Sequence, residues 1–307
     1  MRVAVVDIGT NSTRLLVADV AGDGTIGELE RRTAVTRLGE GVDTTGRLGE
    51  AGIARVRATL DEYDSAIAAL RADARVAVLT SAARDSANGE EFVAGLRRDY
   101  ALDARIISGE EEARLTFLGA MSGRPADATR TLVVDVGGGS TELVIGSRGE
   151  VTFHVSLQLG VVRQTERHLR SDPPSPADLR ALTRDARTLI ERDVRVAERR
   201  GVSRAIAVAG TATSLAAVDQ ALEPYDRAAV HGYELELPTV RLLLARLASV
   251  PLEERRRTRG LHPDRAPTIV AGIAILIEVL GAFGLDRFEV SENDILRGAA
   301  LARAQAG

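Results

Sequence analysis

The sequence contains no cysteine and no lysine. The first absence excludes disulfides, thiolate metal sites and cysteine-nucleophile phosphatases. The second excludes lysine-dependent P-loops and lysine Schiff-base chemistry, since all 40 basic side chains are arginines. Histidine is scarce: His154, His168, His231 and His262 show neither HExxH spacing nor a pair that suggests zinc. Acids outnumber bases, for a net charge of −4, so nucleic acid is not an expected partner. No apolar run reaches membrane length. The most hydrophobic stretch, TIVAGIAILIEVLGAFG (268–284), is short for a span and carries Glu278, so it reads as a buried core helix started by Pro267. The N-terminal MRVAVVDIGT enters a strand directly, without a signal-peptide pattern. The expectation is a cytoplasmic protein, not bound to membranes, whose chemistry runs on carboxylates, arginines and backbone amides.

What is present suggests two domains: 307 residues, 45% hydrophobic and 27% charged, are enough for a sizeable core. The stretch VVDVGGGSTELVIG (133–146) reads as strand, glycine turn, strand, with Asp135 before the turn and Glu142 after it. A hairpin needs one or two glycines for positive φ; a third suggests that something, a phosphate being the usual candidate, approaches the backbone closely. The N-terminal VVDIGTNSTRLLV (5–17) aligns with VVDVGGGSTELVI (133–145) without a gap, Asp7 on Asp135, Gly9 on Gly137, Ser12 on Ser140 and Thr13 on Thr141. This internal repeat implies two related α/β domains, each opening with a hairpin whose turn points into a cleft between them. Two such turns can grip neighbouring phosphates through their amides, and a cation, most plausibly Mg²⁺, would have to sit between the phosphates and Asp7 and Asp135. Two purely structural hairpins would explain one glycine per turn, but not three with a repeated aspartate.

The intervening segments fit α/β order. Residues 51–70 form an amphipathic helix pattern, 74–84 a buried strand leaving into a polar turn, and 103–109 a short strand before a helix. SGRPAD (122–127) has linker chemistry, which sets a domain boundary near residue 124. SDPPSP (171–176) caps a long arginine-rich helix expected to reach about residue 200. RAIAVAGTATSLAA (204–217) reads as strand, Gly-Thr, helix, offering a helix N-terminus to an anion. Arg255, Arg256, Arg257 and Arg259 form either a solvated helix face or a track for a longer anion; Arg265 and His262 are equally open.

ISGEEEARLTFLGAM (107–121) places three glutamates at a helix start. Ser108 and Glu111 have capping-box spacing, and acids suit a helix N-terminus. Glu112 lies further round, on a face continued by Thr116 and Gly119, whereas Ala113, Phe117 and Met121 form an apolar face. A glutamate over a small, polar face reads as a cleft wall, so Glu112 is the candidate general base for activating water.

The first hairpin, ISGEEEARL and LVVDVGGGSTELVIG together resemble the exopolyphosphatase / guanosine pentaphosphate phosphohydrolase (Ppx/GppA) family, as do RLGEGVDTTGRL, TSAARDS, VAGTATSL and HPDRAPTIVAGIAIL. The resemblance covers essentially the whole chain and is nearest to the short, two-domain members. It implies an α/β fold of two ribonuclease-H-like domains, of the actin/Hsp70/sugar-kinase ATPase superfold, around a central cleft: 1–124 and 125–307, with a last helix at about 293–305 that packs on the first. Glu112 falls on the family's catalytic glutamate, and Asp135 and Glu142 on its metal and water-positioning acids. Thr10, Asn11 and Ser12, with Gly137, Gly138, Gly139 and Ser140, fall on phosphate-binding turns; Thr10 stands where many relatives have serine. Arg84 falls on an arginine facing the phosphates, and Gly210 and Thr211 on a further loop of the cleft. The implied reaction is in-line attack of water on the terminal phosphorus of inorganic polyphosphate with Mg²⁺, favouring short chains, by a homodimer. The rivals are hydrolysis of guanosine pentaphosphate, a kinase of the same superfold, and a non-catalytic sensor of guanosine tetra- or pentaphosphate.

Overall fold

A computed structural model describes residues 1–306. The chain divides into two compact units, Met1–Arg124 together with the segment from Asp294 onward, and Pro125–Asn293. In chain order, the first unit contains β1 (Arg2–Ile8), β2 (Ser12–Val20), β3 (Ile26–Val35), α1 (Glu50–Leu70), β4 (Ala74–Leu79), α2 (Gly89–Tyr100), β5 (Asp103–Ile106) and α3 (Gly109–Met121). The second contains β6 (Arg130–Val136), β7 (Thr141–Ser147), β8 (Glu150–Leu157), α4 (Val161–His168), α5 (Pro176–Asp193), β9 (Val202–Val208), α6 (Ala209–Asp219), β10 (Glu234–Glu236), α7 (Leu237–Ala248), α8 (Ile269–Phe283) and β11 (Arg287–Val290). The last helix, α9 (Ile295–Gln305), belongs to the first unit.

Each unit is built on one mixed sheet. The first has the order β3-β2-β1-β4-β5, antiparallel from β3 to β1 and parallel from β1 to β5. The second repeats it as β8-β7-β6-β9-β11, with β10 added antiparallel at the edge. This is the strand order of a ribonuclease-H-like sheet. The repeat extends to irregularities: the register slips at Val17/Ala18 between β2 and β3, and at Ile145/Gly146 between β7 and β8. Both bulges fall at the same place in the aligned repeat.

Strand alternation decides which helices meet which side chains. Ala4, Val6 and Ile8 of β1 face α1 and α2, packing with Val56, Leu60, Ile67, Phe92 and Leu96. Val3 and Val5 face the opposite way, with Leu115 of α3 and Leu296, Ala300 and Leu301 of α9. Asp7, next in that alternation, lies on the α3/α9 side. In the second unit α8 is apolar and buried from Ile269 to Leu276, and its Glu278 pairs with Arg187 at 3.0 Å. Among the described residues no helix is long and apolar enough to cross a membrane.

The arginine-rich helix α5 stops at Asp193 rather than near residue 200. Val194 turns extended, and the Arg199 guanidinium donates back to the carbonyls of Ile190 (3.3 Å) and Val194 (3.0 Å), closing the helix end. In the arginine run after α7, Arg257 and Arg259 are exposed, as on a solvated face, but Arg255 fits neither reading. Arg255 is buried, and its guanidinium donates to the carbonyls of Leu247 (2.7 Å), Val250 (2.9 Å) and Ala266 (3.3 Å), stapling loops together. Arg256 pairs with Glu253 at 2.6 Å. His262 is structural too: its Nδ1 accepts from the Asp264 amide at 3.3 Å and caps a short turn.

Candidate active site

In the first unit the β1–β2 turn is closed by the Gly9 amide donating to the Ser12 carbonyl at 2.9 Å. A Cβ on Gly9 would lie 3.3 Å from that oxygen. The carbonyl of Thr10 accepts from the Gly39 amide (2.9 Å), and that of Asn11 from the amides of Thr36 (3.1 Å) and Arg37 (3.0 Å). In a trans peptide N–H and C=O point in opposite directions, so the Asn11 amide is turned away from the loop that holds the Thr10 carbonyl. The Thr10 hydroxyl shares a hydrogen bond of 2.9 Å with Ser81, the first residue of a short helix, Ser81–Arg84. Ser12 is half-buried at the head of β2.

That short helix carries Arg84 to the next acid. Its Nη1 donates to Glu112 Oε2 at 3.0 Å and to the Ile107 carbonyl at 2.9 Å. Glu112 is 7% exposed. It stands in the first turn of α3, which Ser108 caps by accepting from the Glu111 amide at 3.1 Å. Glu111 itself pairs with Arg105 at 2.6 Å. The turn, Ser81, Arg84 and Glu112 are therefore linked through one chain of contacts.

The face of α3 through Thr116 and Gly119 is not a cleft wall, as the sequence suggests, but a helix-packing face. A Cβ on Gly119 would lie 1.8 Å from the Asp294 carbonyl oxygen, and one on Gly298 would lie 1.8 Å from that of Leu115. Small residues there let α3 and α9 cross with their backbones in contact, while Glu112 sits at the end of that face.

Asp7 faces Arg14 across the β1–β2 pair. Its Oδ2 accepts from Arg14 Nε (2.9 Å) and Nη2 (2.6 Å), while no donor among the described residues reaches Oδ1. Burial pushes the Asp7 carboxyl above its ordinary value of 3.8; Arg14 opposes that shift and Asp294 adds to it. Arg14 Nη1 continues to Asp294 Oδ2.

In the second unit the Gly137 amide closes the β6–β7 turn on the Ser140 carbonyl at 3.0 Å, and a Cβ on Gly137 would lie 3.0 Å from that oxygen. None of Gly137, Gly138 and Gly139 adopts positive φ, so the reason for the run lies elsewhere. The carbonyls of Gly137 and Gly138 accept from the first amides of α4, those of Val161 (2.9 Å) and Val162 (2.8 Å). A Cβ on Gly160 would lie 2.2 Å from the carbonyl carbon of Gly139. Backbone approaches backbone here, and the amides of Gly138 and Gly139 are turned away from α4. Arg163 Nε of α4 donates to the Gly139 carbonyl at 3.0 Å.

Asp135 and Glu142 are directly opposite across β6 and β7, both buried. Glu142 Oε1 accepts from the hydroxyls of Ser140 (2.7 Å) and Ser156 (2.8 Å). The Ser140 hydroxyl is thus directed at Glu142. On the other side, Asp135 pairs in register with Val208, the residue before α6. Gly210 and Thr211 lie inside the first turn of α6 rather than before it. The Thr211 side chain packs on α8, where a Cβ on Gly272 would come within 2.4 Å of its hydroxyl. What α6 offers an anion is its first-turn amides, which have no acceptor within the helix. Arg265 lies beside this turn: a Cβ on Gly210 would lie 1.6 Å from its Nη1.

In the first unit Arg84 joins Glu112 to the short helix that Thr10 touches, and in the second Ser140 bonds Glu142, which stands opposite Asp135. Arg14, Asp294, Ser156 and Arg163 join them without having been singled out. Arg14 had a visible signal, because it occupies the position of Glu142 in the aligned repeat.

The model of the Ppx/GppA phosphatase family matches residues 16–301. Exopolyphosphatase 2 of Mycobacterium tuberculosis is 39% identical over 317 positions, which span 99% of this chain and 98% of that protein. The guanosine-5'-triphosphate,3'-diphosphate pyrophosphatase of Aeromonas hydrophila is 28% identical over 297 positions, 96% of this chain and 58% of the longer enzyme. The crystal structure of the Aquifex aeolicus member of the Ppx/GppA family matches with a TM-score of 0.83 at 33% identity, over 100% of this chain and 98% of that one.

Proposed function

Because this chain belongs to the Ppx/GppA phosphatase family and has its two-sheet, actin-like α/β fold, we propose that it is an exopolyphosphatase, hydrolysing terminal orthophosphate from inorganic polyphosphate with a divalent cation, Mg²⁺. The observation that carries the reading is Glu112: a buried carboxylate held by Arg84 on elements tied to the first glycine turn. Glu112 accepts the proton of the attacking water. Arg84 fixes its carboxylate and offers its remaining donors to the phosphoryl oxygens. The amides of Asn11, Gly138 and Gly139 and the first turn of α6 bind phosphate oxygens as anion nests. Glu142, oriented by Ser140 and Ser156, orders water. Phosphoryl transfer asks for positioning and charge stabilisation and little covalent chemistry, which suits a chain without cysteine or lysine.

The donor set fits a hard cation. Among the described residues no three His, Asp or Glu side chains form a metal cluster, and Mg²⁺ takes one or two carboxylates with water and substrate phosphate oxygens rather than an all-protein cage. Asp7 keeps one buried oxygen without a donor, and Asp135 and Glu142 place two carboxylates directly opposite each other. Each unit offers the cation one aspartate, Asp7 in the first and Asp135 in the second; a bound ion would neutralise phosphate charge.

Polyphosphate is preferred over guanosine pentaphosphate because the mycobacterial exopolyphosphatase is 39% identical and the Aeromonas enzyme 28%. The family resemblance further implies a cytoplasmic homodimer, which sedimentation of the purified protein tests. Phosphate release measured side by side from short polyphosphate, long polyphosphate, guanosine pentaphosphate and ATP tests the substrate. Fastest release is expected from short polyphosphate. Release mainly from guanosine pentaphosphate would move the function to that nucleotide, and binding without release from any of them would make the protein a sensor.

A further inference from the structure

We infer that Asp294 is a positioning residue for Asp7: it shares Arg14 with Asp7, so that the cluster keeps a net negative charge and Asp7 keeps one free oxygen to present to the cation. This rests on the proposal that Asp7 meets the divalent ion. The three side chains form a buried line within the first unit, with side-chain exposures of 5% for Asp7, 14% for Arg14 and 5% for Asp294. Arg14 divides its donors, Nε and Nη2 to Asp7 Oδ2 and Nη1 to Asp294 Oδ2. Asp294 divides its acceptors: Oδ1 caps α9 by accepting from the Leu296 amide at 3.1 Å, and Oδ2 takes Arg14.

The cap alone does not explain a carboxylate there. Serine, threonine or asparagine would cap the helix as well. What the second oxygen adds is electrostatic. A buried guanidinium facing Asp7 alone would neutralise it and compete with a cation for it. Shared between two carboxylates, Arg14 orients Asp7 without cancelling the group, and the cluster keeps one negative charge. Arg31, whose Nη1 is 4.0 Å from Asp294 Oδ1, does not change that balance, because Glu28 stands 3.1 Å from its Nη2. The line is rigid: Asp7 and Arg14 are cross-strand neighbours, and the Asp294 backbone is pinned where α9 crosses Gly119.

The test is direct Mn²⁺ binding to the full chain, followed by loss of the free-ion EPR signal, for the wild type and for Asp7→Asn, Asp294→Asn and the double variant Arg14→Gln/Asp294→Asn, with melting temperatures as a check on folding. Asp294→Asn keeps the cap and the shape but removes the second charge. It is expected to weaken Mn²⁺ binding about 10–100-fold, the usual effect of losing an outer-sphere partner. The double variant restores the net charge of the cluster and is expected to bind more tightly than Asp294→Asn alone, which a merely structural role would not produce. Asp294→Asn binding like the wild type while Asp7→Asn loses the ion would overturn the inference and leave the site reading intact. So would a double variant no better than the single one. Unchanged binding in Asp7→Asn would instead overturn the assignment of Asp7 to the cation.

Discussion

Asp7 sits where stability and chemistry pull in opposite directions. Its carboxyl is buried, and desolvation raises it above 3.8 despite Arg14. A carboxyl raised in the folded state favours folding fully only below its unfolded value, and that contribution is lost as pH rises through the folded value. The Asp7 carboxyl therefore favours the fold less as pH rises, and it is retained for the cation it is proposed to bind. Asp7→Asn is expected to raise the melting temperature at pH 7 in the absence of metal, with the gain shrinking as pH falls towards 4, while activity is lost. Melting curves between pH 4 and 8 check this; a lower melting temperature at pH 7 would contradict it. Residues of this kind were legible as carboxylates but not as partners. Ser156 shows why. Counting back from the Arg148-Gly149 turn places Val155 opposite Glu142, but the bulge at Ile145/Gly146 shifts the register by one and brings Ser156 there instead. Alternation alone does not reveal a bulge.

Among the elements, the crossing of α3 and α9 fixes both Glu112 and Asp294. Gly119→Ala would put a methyl group 1.8 Å from the Asp294 carbonyl oxygen, a backbone atom that cannot swing aside. A loss of about 1–3 kcal/mol is expected from overpacking of this kind, with weaker activity because α9 moves. Gly281→Ala on α8 is the matched control: nothing lies within 4 Å of its Cβ position, and φ there is not positive. It should stabilise by about 0.5–1 kcal/mol through helix propensity. Urea unfolding of both variants separates them, and equal effects would contradict the packing account. The helix, its cap and its acids could be read from ISGEEEARL. The role of its small face could not, because Thr116 and Gly119 look alike whether they line a cleft or admit another backbone. Gly137–Gly139 posed a similar problem: the run was visible, but its cause is the approach of Gly160 and α4, not positive φ.

At the scale of the whole molecule the repeat was the most legible feature. A gapless match of thirteen residues became two sheets of one strand order, with bulges at matching positions. The chemistry it carries is not symmetrical. Arg14 faces Asp7 in the first copy, where Glu142 faces Asp135 in the second. In the first unit Glu112 is fixed by Arg84, at the end of the short helix that the turn touches. The two copies share one backbone frame, and the side chains set around their turns differ.

Turnover of short polyphosphate by Glu112→Gln tests the assignment of Glu112 most directly. The substitution keeps the size and the hydrogen-bonding reach of the side chain but removes the base. Phosphate release with Mg²⁺ is expected to fall about 100–10,000-fold, with binding of the same polyphosphate, measured by calorimetry, close to that of the wild type. A variant that releases phosphate at the wild-type rate would contradict the account.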